Sequence, residues 1–481
     1  MQRKFIVNII ILIGLNLLIK PFWIFGIDRT VQNLVDAETY GMYFALFNFT
    51  FLFNIALDMG ITNFNNRSVA RCNDFLKESF ARIFSLKLLL FVFYFVLMLI
   101  TGIVIGYNSL QIKMLIPLLI NQFLAGFILY LRSNISGLLL FKTDSLLSVI
   151  DRVIMIVFCG ILLWGNVTTQ PFQITWFIYI QTFAYAFTCL LALAIVIHKS
   201  SFHTPFIDLR FFKTILRQSI PFAILHLFTS IHNRVDTVLI ERLLPLETGA
   251  AQAGIYASAY RLLDAGIIVA YLMSVICMPL FSNMIAQKKK VNDIVKTSFI
   301  LLYIYGLIIA CASFVYNHEL MDLLYVKHVT ESATVFRVLM LSIFPIVLTY
   351  IFGSLLTANG NLKQLNIIAL SGVGINLLIN ALFITRWGAM ASAVAAIVTH
   401  SYIVMVEIAI AMKKFQFQIS RTFILRLSIF AFGVMAINLI SYRLPFHWGI
   451  DFIIMLIATL VLVFVSRLIN IKQVLSLFKA S

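Results

Sequence analysis

Fourteen apolar stretches, each about as long as a bilayer-spanning helix, occupy most of this 481-residue chain and leave only short polar connections. They cover residues 5–26, 40–61, 83–106, 114–139, 146–165, 174–197, 219–240, 253–284, 296–317, 336–358, 365–384, 388–411, 422–440 and 449–467. Hydrophobic residues make up 62% of the sequence and charged ones 11%, so a water-soluble fold would face solvent with far too much apolar surface. Hydrocarbon offers the backbone no hydrogen-bond partners, which limits spanning structure to helices and closed barrels. The runs are continuously apolar and lack the period-2 alternation of barrel strands. The expected fold is therefore all-α: a polytopic integral membrane protein of about 14 helices.

The net charge of +17 would suit a nucleic-acid partner if the basic residues formed a patch. They do not. With Met1 in the cytoplasm, the outward loops hold only Arg29, Lys113, Arg242, Lys327, Arg386 and Arg443, and most of the rest fall in the opposite loops and tails. That asymmetry is the positive-inside pattern, and it places both termini in the cytoplasm with no nucleic-acid role. Arg3 and Lys4 ahead of an apolar run resemble a signal peptide, but the run is too long and lacks a small-residue cleavage site, so it is expected to stay. Cys159, Cys189, Cys277 and Cys311 lie in apolar segments and Cys72 in a loop, without metal spacing, so no metal or other cofactor is implied. No GxxxxGK[ST] loop is present, which argues against ATP hydrolysis by this chain.

Gly41-Met-Tyr43, opening the second segment, is echoed by Gly254-Ile-Tyr256, opening the eighth, and Asp28-Arg-Thr-Val31 has a looser echo in Asp236-Thr-Val238. Six helices return the chain to the same side of the membrane, so two copies would share one orientation, related by an axis along the membrane normal. The expected organisation is an N-terminal lobe over 1–200, a second lobe over 201–412, and two added helices with a tail over 413–481.

A charge at the bilayer centre costs about 2.5–3.5 kcal/mol on insertion scales, so every intramembrane polar residue needs a reason. The seventh segment carries His226, Ser230, Asn233 and Thr237 on one helical face, with Arg234 and Asp236 flanking that stripe. Lys20 stands near the end of the first segment and Arg132 in the fourth. In the eighth, Tyr260 and Asp264 share a face, and Arg261 can reach Asp264 at i+3. Asn376 and Asn380 read as interhelical hydrogen-bonding groups, and His400 with Glu407 as either a proton site or an interhelical pair. Asp58, Asp151 and Arg152 read as structural groups near the cytoplasmic interface. Arginines facing one cavity would suit an anionic, phosphate-bearing substrate, because guanidinium binds phosphate bidentately and stays charged.

Ser219-Ile-Pro221 through Arg234-Val-Asp236 resembles the seventh helix of the polysaccharide-exporter branch of the multidrug/oligosaccharidyl-lipid/polysaccharide superfamily. Gly254-Ile-Tyr256-Ala-Ser-Ala-Tyr260-Arg261 with Pro279 is similar to its eighth helix, and Pro345 followed by Ala358-Asn-Gly360-Asn-Leu-Lys363 to its tenth and the turn that follows. Asn376-x3-Asn380 followed by Trp387-Gly388-Ala-Met-Ala391 resembles its eleventh-to-twelfth helix region. The resemblance implies a flippase, not an enzyme. Its expected partner is an undecaprenyl-pyrophosphate-linked oligosaccharide, such as an O-antigen or capsule repeat unit, moved by alternating access in a bacterial inner membrane among membrane lipids. Lys20, Arg132, Arg234, Arg261, Asn233, His226 and Tyr260 are the expected substrate-binding residues. Coupling to a proton or sodium ion is common in the superfamily; Asp236, Asp264, Glu407 and His400 are the candidates here. The competing readings are a cation-coupled drug or metabolite exporter, a flippase for the cell-wall precursor, and a membrane-embedded glycan polymerase or ligase. The last would need a large outward loop, and the longest one, about 317–335, is small.

Overall fold

The computed structural model describes residues 21–71, 74–138, 140–165, 167–200 and 208–466, together with positions 14, 18, 19 and 468. All regular structure among them is helical. A π-helical turn, Trp23–Asp28, leads into α1 (Arg29–Leu34), α2 (Ala37–Leu52), α3 (Ile55–Asp58), α4 (Ile61–Arg71), α5 (Asp74–Ile105) and α6 (Ser109–Gly137). There follow α7 (Phe141–Trp164), α8 (Ile174–Lys199), α9 (Leu209–Leu243), α10 (Leu246–Ala286), α11 (Asn292–Val315) and α12 (Asn317–Leu324). After α13 (Val329–Leu339), a 3₁₀ turn at Met340–Ser342 continues into α14 (Ile343–Ala358). The chain closes with α15 (Leu362–Trp387), α16 (Ala389–Phe415), α17 (Arg421–Ser441) and α18 (Trp448–Val465).

The starts of these helices are written locally. Asp36 accepts from the Thr39 amide at 2.6 Å to cap α2, and Asp208 accepts from Phe211 at 3.0 Å to cap α9. Asn108 and Gln111 form a reciprocal capping box at the head of α6. Between α15 and α16 there is no loop at all. The single residue Gly388 turns the chain at φ 55°, ψ −135°, a conformation closed to residues with a Cβ.

Eleven helices among the described residues are long and apolar enough to cross a membrane. The three other expected segments account for themselves. The first lies largely outside the described residues, the second is broken into α2 and α3, and the seventh is the polar but unbroken 35-residue α9. The protein is thus a polytopic helical membrane protein, and its wide apolar exterior fits lipid contact: Phe432 is 78% exposed and Val465 69%.

Short connections expected as loops also fold. The 317–335 connection forms α12 and the start of α13. In the basic connection after the second segment, α4 lies against α6, with Asn65 Nδ2 donating to Ser133 Oγ (2.8 Å) and Asn134 Oδ1 (2.9 Å).

Two compact units divide the chain, Met1–Ala257 and Ser258–Ser481, with the boundary inside α10. In the first, α9 packs on α2, α6 on α8, and α7 on α8. In the second, α16 packs on α14 and α15, and α11 on α14 and α17. Ile300, Ile304, Phe430, Val434 and Val463 form one buried cluster there.

Candidate functional site

In the first unit the polar face of α9 meets α2 through a small set of side chains. Buried Asn48 donates to the Phe44 carbonyl at 2.9 Å and makes a long contact, 3.4 Å, to Thr237 Oγ1. Its Oδ1 accepts from Arg234 Nη1 at 3.4 Å, and the Arg234 guanidinium lies 5.3 Å from the Phe51 ring centre. Thr237 is therefore a buried junction residue, Asn233 is half-buried, and His226, exposed one turn beyond, shares a 3.1 Å contact with Ser230.

Two buried aspartates of this unit accept hydrogen bonds from tyrosine hydroxyls. Asp28 accepts from the Tyr40 hydroxyl at 3.0 Å, and Asp236 accepts from the Tyr256 hydroxyl at 3.0 Å, all four groups being buried. A hydroxyl donor satisfies part of a buried carboxylate's demand and fixes its helix against a neighbour. Gly41 and Gly254 face one another at the heads of α2 and α10. A Cβ on Gly41 would overlap the Ala250 carbonyl, and one on Gly254 the Ala37 carbonyl, so the two backbones are in direct contact. Gln32 Nε2 donates across the same junction to the Gly254 carbonyl at 3.1 Å. Farther along α9, Gln111 Nε2 donates to Glu241 Oε1 at 2.6 Å, while Arg242 pairs with Glu241 and covers the Tyr107 ring at 4.6 Å.

The other basic residues fare differently. Lys20 lies outside the described residues. Arg132 is held by Asp144, Nε to Oδ1 at 2.7 Å, a pair formed across the turn from α6 to α7. In the second unit Tyr260 is buried and Arg261 and Asp264 are half-buried.

Two intramembrane cations were not singled out by the sequence reading as binding groups. Arg152, near the middle of α7, has its guanidinium 5.4 Å from the Trp23 ring centre and 5.8 Å from that of Tyr185. Trp23 in turn stacks on Phe177 at 5.5 Å, and Gln181 Nε2 donates to Tyr43 at 3.0 Å, so this cation sits among aromatic walls. Lys87, 2% exposed, pairs with Asp58 and donates to the Leu57 carbonyl at 3.3 Å. The available signal was a cation inside a strongly apolar segment, which always requires a partner.

In the second unit Asn380 Nδ2 reaches the Asn376 carbonyl at 2.9 Å, and Ser392 Oγ donates to Asn380 Oδ1 at 2.6 Å, tying α15 to α16. His400 is 9% exposed and Glu407 4%. The Glu407 carboxylate is packed over Gly353 of α14, where an added Cβ would lie 3.2 Å from Oε1. Its Oε2 has no hydrogen-bond partner among the described residues, and no ion pair to His400 or any other described residue forms there. Among the described residues no group of three or more His, Cys, Asp or Glu is placed to hold a metal.

Apolar helices of membrane-spanning length, with cations on aromatic faces and carboxylates on tyrosine hydroxyls among them, define a polytopic membrane protein. The chain belongs to the polysaccharide biosynthesis protein family, whose profile matches residues 6–285. Its fold is shared with the Lipid II flippase MurJ in an inward closed conformation, at 14% identity and a TM-score of 0.68 over 92% of this chain and 97% of that one. An inward-facing multidrug resistance MATE family transporter of the MOP superfamily is similar at 14% identity and TM-score 0.61, over 82% of this chain and 94% of that one. A MOP superfamily transporter from Pyrococcus furiosus is similar at 15% identity and TM-score 0.56, over 85% and 95% of the two chains. No curated protein sequence matches the chain.

Proposed function

We propose that this protein is a flippase for oligosaccharides carried on undecaprenyl pyrophosphate, working by alternating access in a bacterial inner membrane with both termini in the cytoplasm. The observation that carries the reading is the pair of intramembrane guanidinium groups held on aromatic faces, Arg152 by Trp23 and Tyr185 and Arg234 by Phe51, in a chain of the polysaccharide biosynthesis family. Guanidinium presents fixed, permanently charged donors to a diphosphate, and aromatic faces beside it suit sugar rings. Arg132, already engaged by Asp144, is a weaker candidate than its position in the sequence suggests; Lys20, Arg261, Asn233, His226 and Tyr260 remain candidates. The duplication of residues 1–200 in 201–412, with 413–481 added, belongs to the same reading. It is supported by the paired glycines. On this topology the Gly41–Gly254 contact is a closed outer gate.

The experiment is deletion of the gene, with mass spectrometry of lipid-linked intermediates, followed by complementation with Arg152→Ala and Arg234→Ala. The reading expects loss of surface glycan with complete repeat units accumulating on the lipid, and failure of both variants to restore export while still inserting in the membrane. Normal glycan in the deletion strain, with no trapped intermediate, would sink it. A cell-wall precursor on the same lipid is the second reading, favoured by the Lipid II flippase among the proteins that share the fold. The trapped lipid's headgroup distinguishes the two.

A further inference from the structure

Glu407 is an intramembrane acid for which the described residues provide neither a cation nor a hydroxyl. Asp58 has Lys87 and Thr62, Asp28 has Tyr40, Asp236 has Tyr256, and Asp144 has Arg132. Glu407 is 4% exposed, and its Oε2 has no partner among the described residues. What the fold does provide is room. Gly353 of α14 has no side chain where the carboxylate lies.

The helices packed against this part of α16 are α13, α14 and α15. Their ionisable residues are Glu331 and Arg337 on α13, Tyr350 on α14, and Lys363 and Arg386 on α15; α16 itself adds His400, Tyr402, Lys413 and Lys414. None forms an ion pair or hydrogen bond with Glu407. The antiparallel pairing of α15 with α16, fixed by Ser371 with Tyr402 and by Asn380 with Ser392, places the amide residue Asn366 at the level of Glu407. An isolated ionised carboxylate in an apolar interior is among the most unfavourable arrangements a protein can adopt, whereas a carboxylic acid is neutral and gains a donor.

We propose that the space over Gly353, between α14, α15 and α16, is a proton-binding site in which Glu407 takes up a proton when these helices close and releases it when they part. The occupant is a proton rather than a metal ion, because a single acid offers too few oxygens to replace a cation's hydration shell. Release would run along α16 to its end, about 12 Å away at 1.5 Å per residue, where Lys413 and Lys414 lie. The site lies wholly within the second unit. Its role in coupling rests on the flippase reading; its existence does not.

The test uses the full-length protein in lipid nanodiscs, followed by infrared spectroscopy across a pH titration. A protonated-carboxyl C=O band that persists at neutral pH in the wild type and disappears in Glu407→Gln is the expected result. Absence of any Glu407-dependent band at neutral pH would overturn the proposal. Gly353→Ala, which presses a methyl onto the carboxylate and keeps the acid, should shift the band; an unchanged band would place the proton elsewhere. In cells, Glu407→Gln inserted at wild-type level should export glycan without dependence on the transmembrane pH gradient. Export that keeps the wild-type dependence would remove the coupling role. If deletion of the gene leaves surface glycan normal, the flippase reading fails while the infrared result still decides the site.

Discussion

Gly254 and Gly353 both face another helix, and they use the missing side chain in opposite ways. At Gly254 the space is filled by backbone: α10 and α2 touch main chain to main chain, and Gln32 bonds to the Gly254 carbonyl at the same junction. At Gly353 the space is filled by a carboxylate whose Oε2 finds no partner among the described residues. The first junction is specified by shape and satisfied hydrogen bonds, so anything larger breaks it. The second is specified by room for a group whose charge can change. A helix contact meant to open and close needs the first kind of precision, and one meant to respond to the medium needs the second.

The strongest way to break this comparison is Gly254→Val. The added carbons meet the Ala37 carbonyl and cannot be accommodated by a rotamer change, so α2 and α10 must separate. Surface glycan is expected to fall to the level of the deletion strain, and wild-type export in this variant would show that the contact is dispensable. Next comes Lys87→Met, which strips Asp58 of its cation and leaves it Thr62 alone. Breaking a buried pair in this way is expected to lower stability by about 3–5 kcal/mol, and adding Asp58→Asn should recover much of the loss, both read by thermal unfolding of the purified protein. If the single variant is as stable as the double, a carboxylate without its cation is tolerated at that position too. The smallest effect is expected from Ser392→Ala, which removes one hydrogen bond between α15 and α16 beside Asn380. A loss of about 0.6 kcal/mol, and no more than about 1.7, is the range for such bonds within membranes. A larger loss would mean that the asparagine pair, rather than close packing, holds this hairpin.

The positions of the spanning helices were legible in the sequence because length and continuous apolarity are local properties. Even α9 was found, through a polar stripe on an otherwise apolar segment. The short helices α4, α12 and α13 were not, since their stability comes from packing on longer neighbours, as when Asn65 bonds to α6 and α13 packs on α16. The site was legible in its residue types but not in its pairings. A helical-face argument sees one helix at a time, so it showed Arg132 as an inward cation and could not see Asp144 waiting beyond the turn. The same blindness missed the ring contacts of Arg152, which lies between Trp23 and Tyr185. It also left Lys87 unremarked inside a run of leucines and phenylalanines. The contact between Gly41 and Gly254, in contrast, falls on the two Gly-x-Tyr stretches that the sequence pairs.

The one-residue connection at Gly388 bears on how the molecule is made. A helix that emerges from the ribosome with a polar loop behind it can settle across the bilayer and wait for the next. Here α15 and α16 have nothing between them but one turning residue, and Asn380 is already bonded to Ser392 close to that corner. With one residue between them, the two helices can pair as soon as both are made, and Asn380 then has Ser392 beside it.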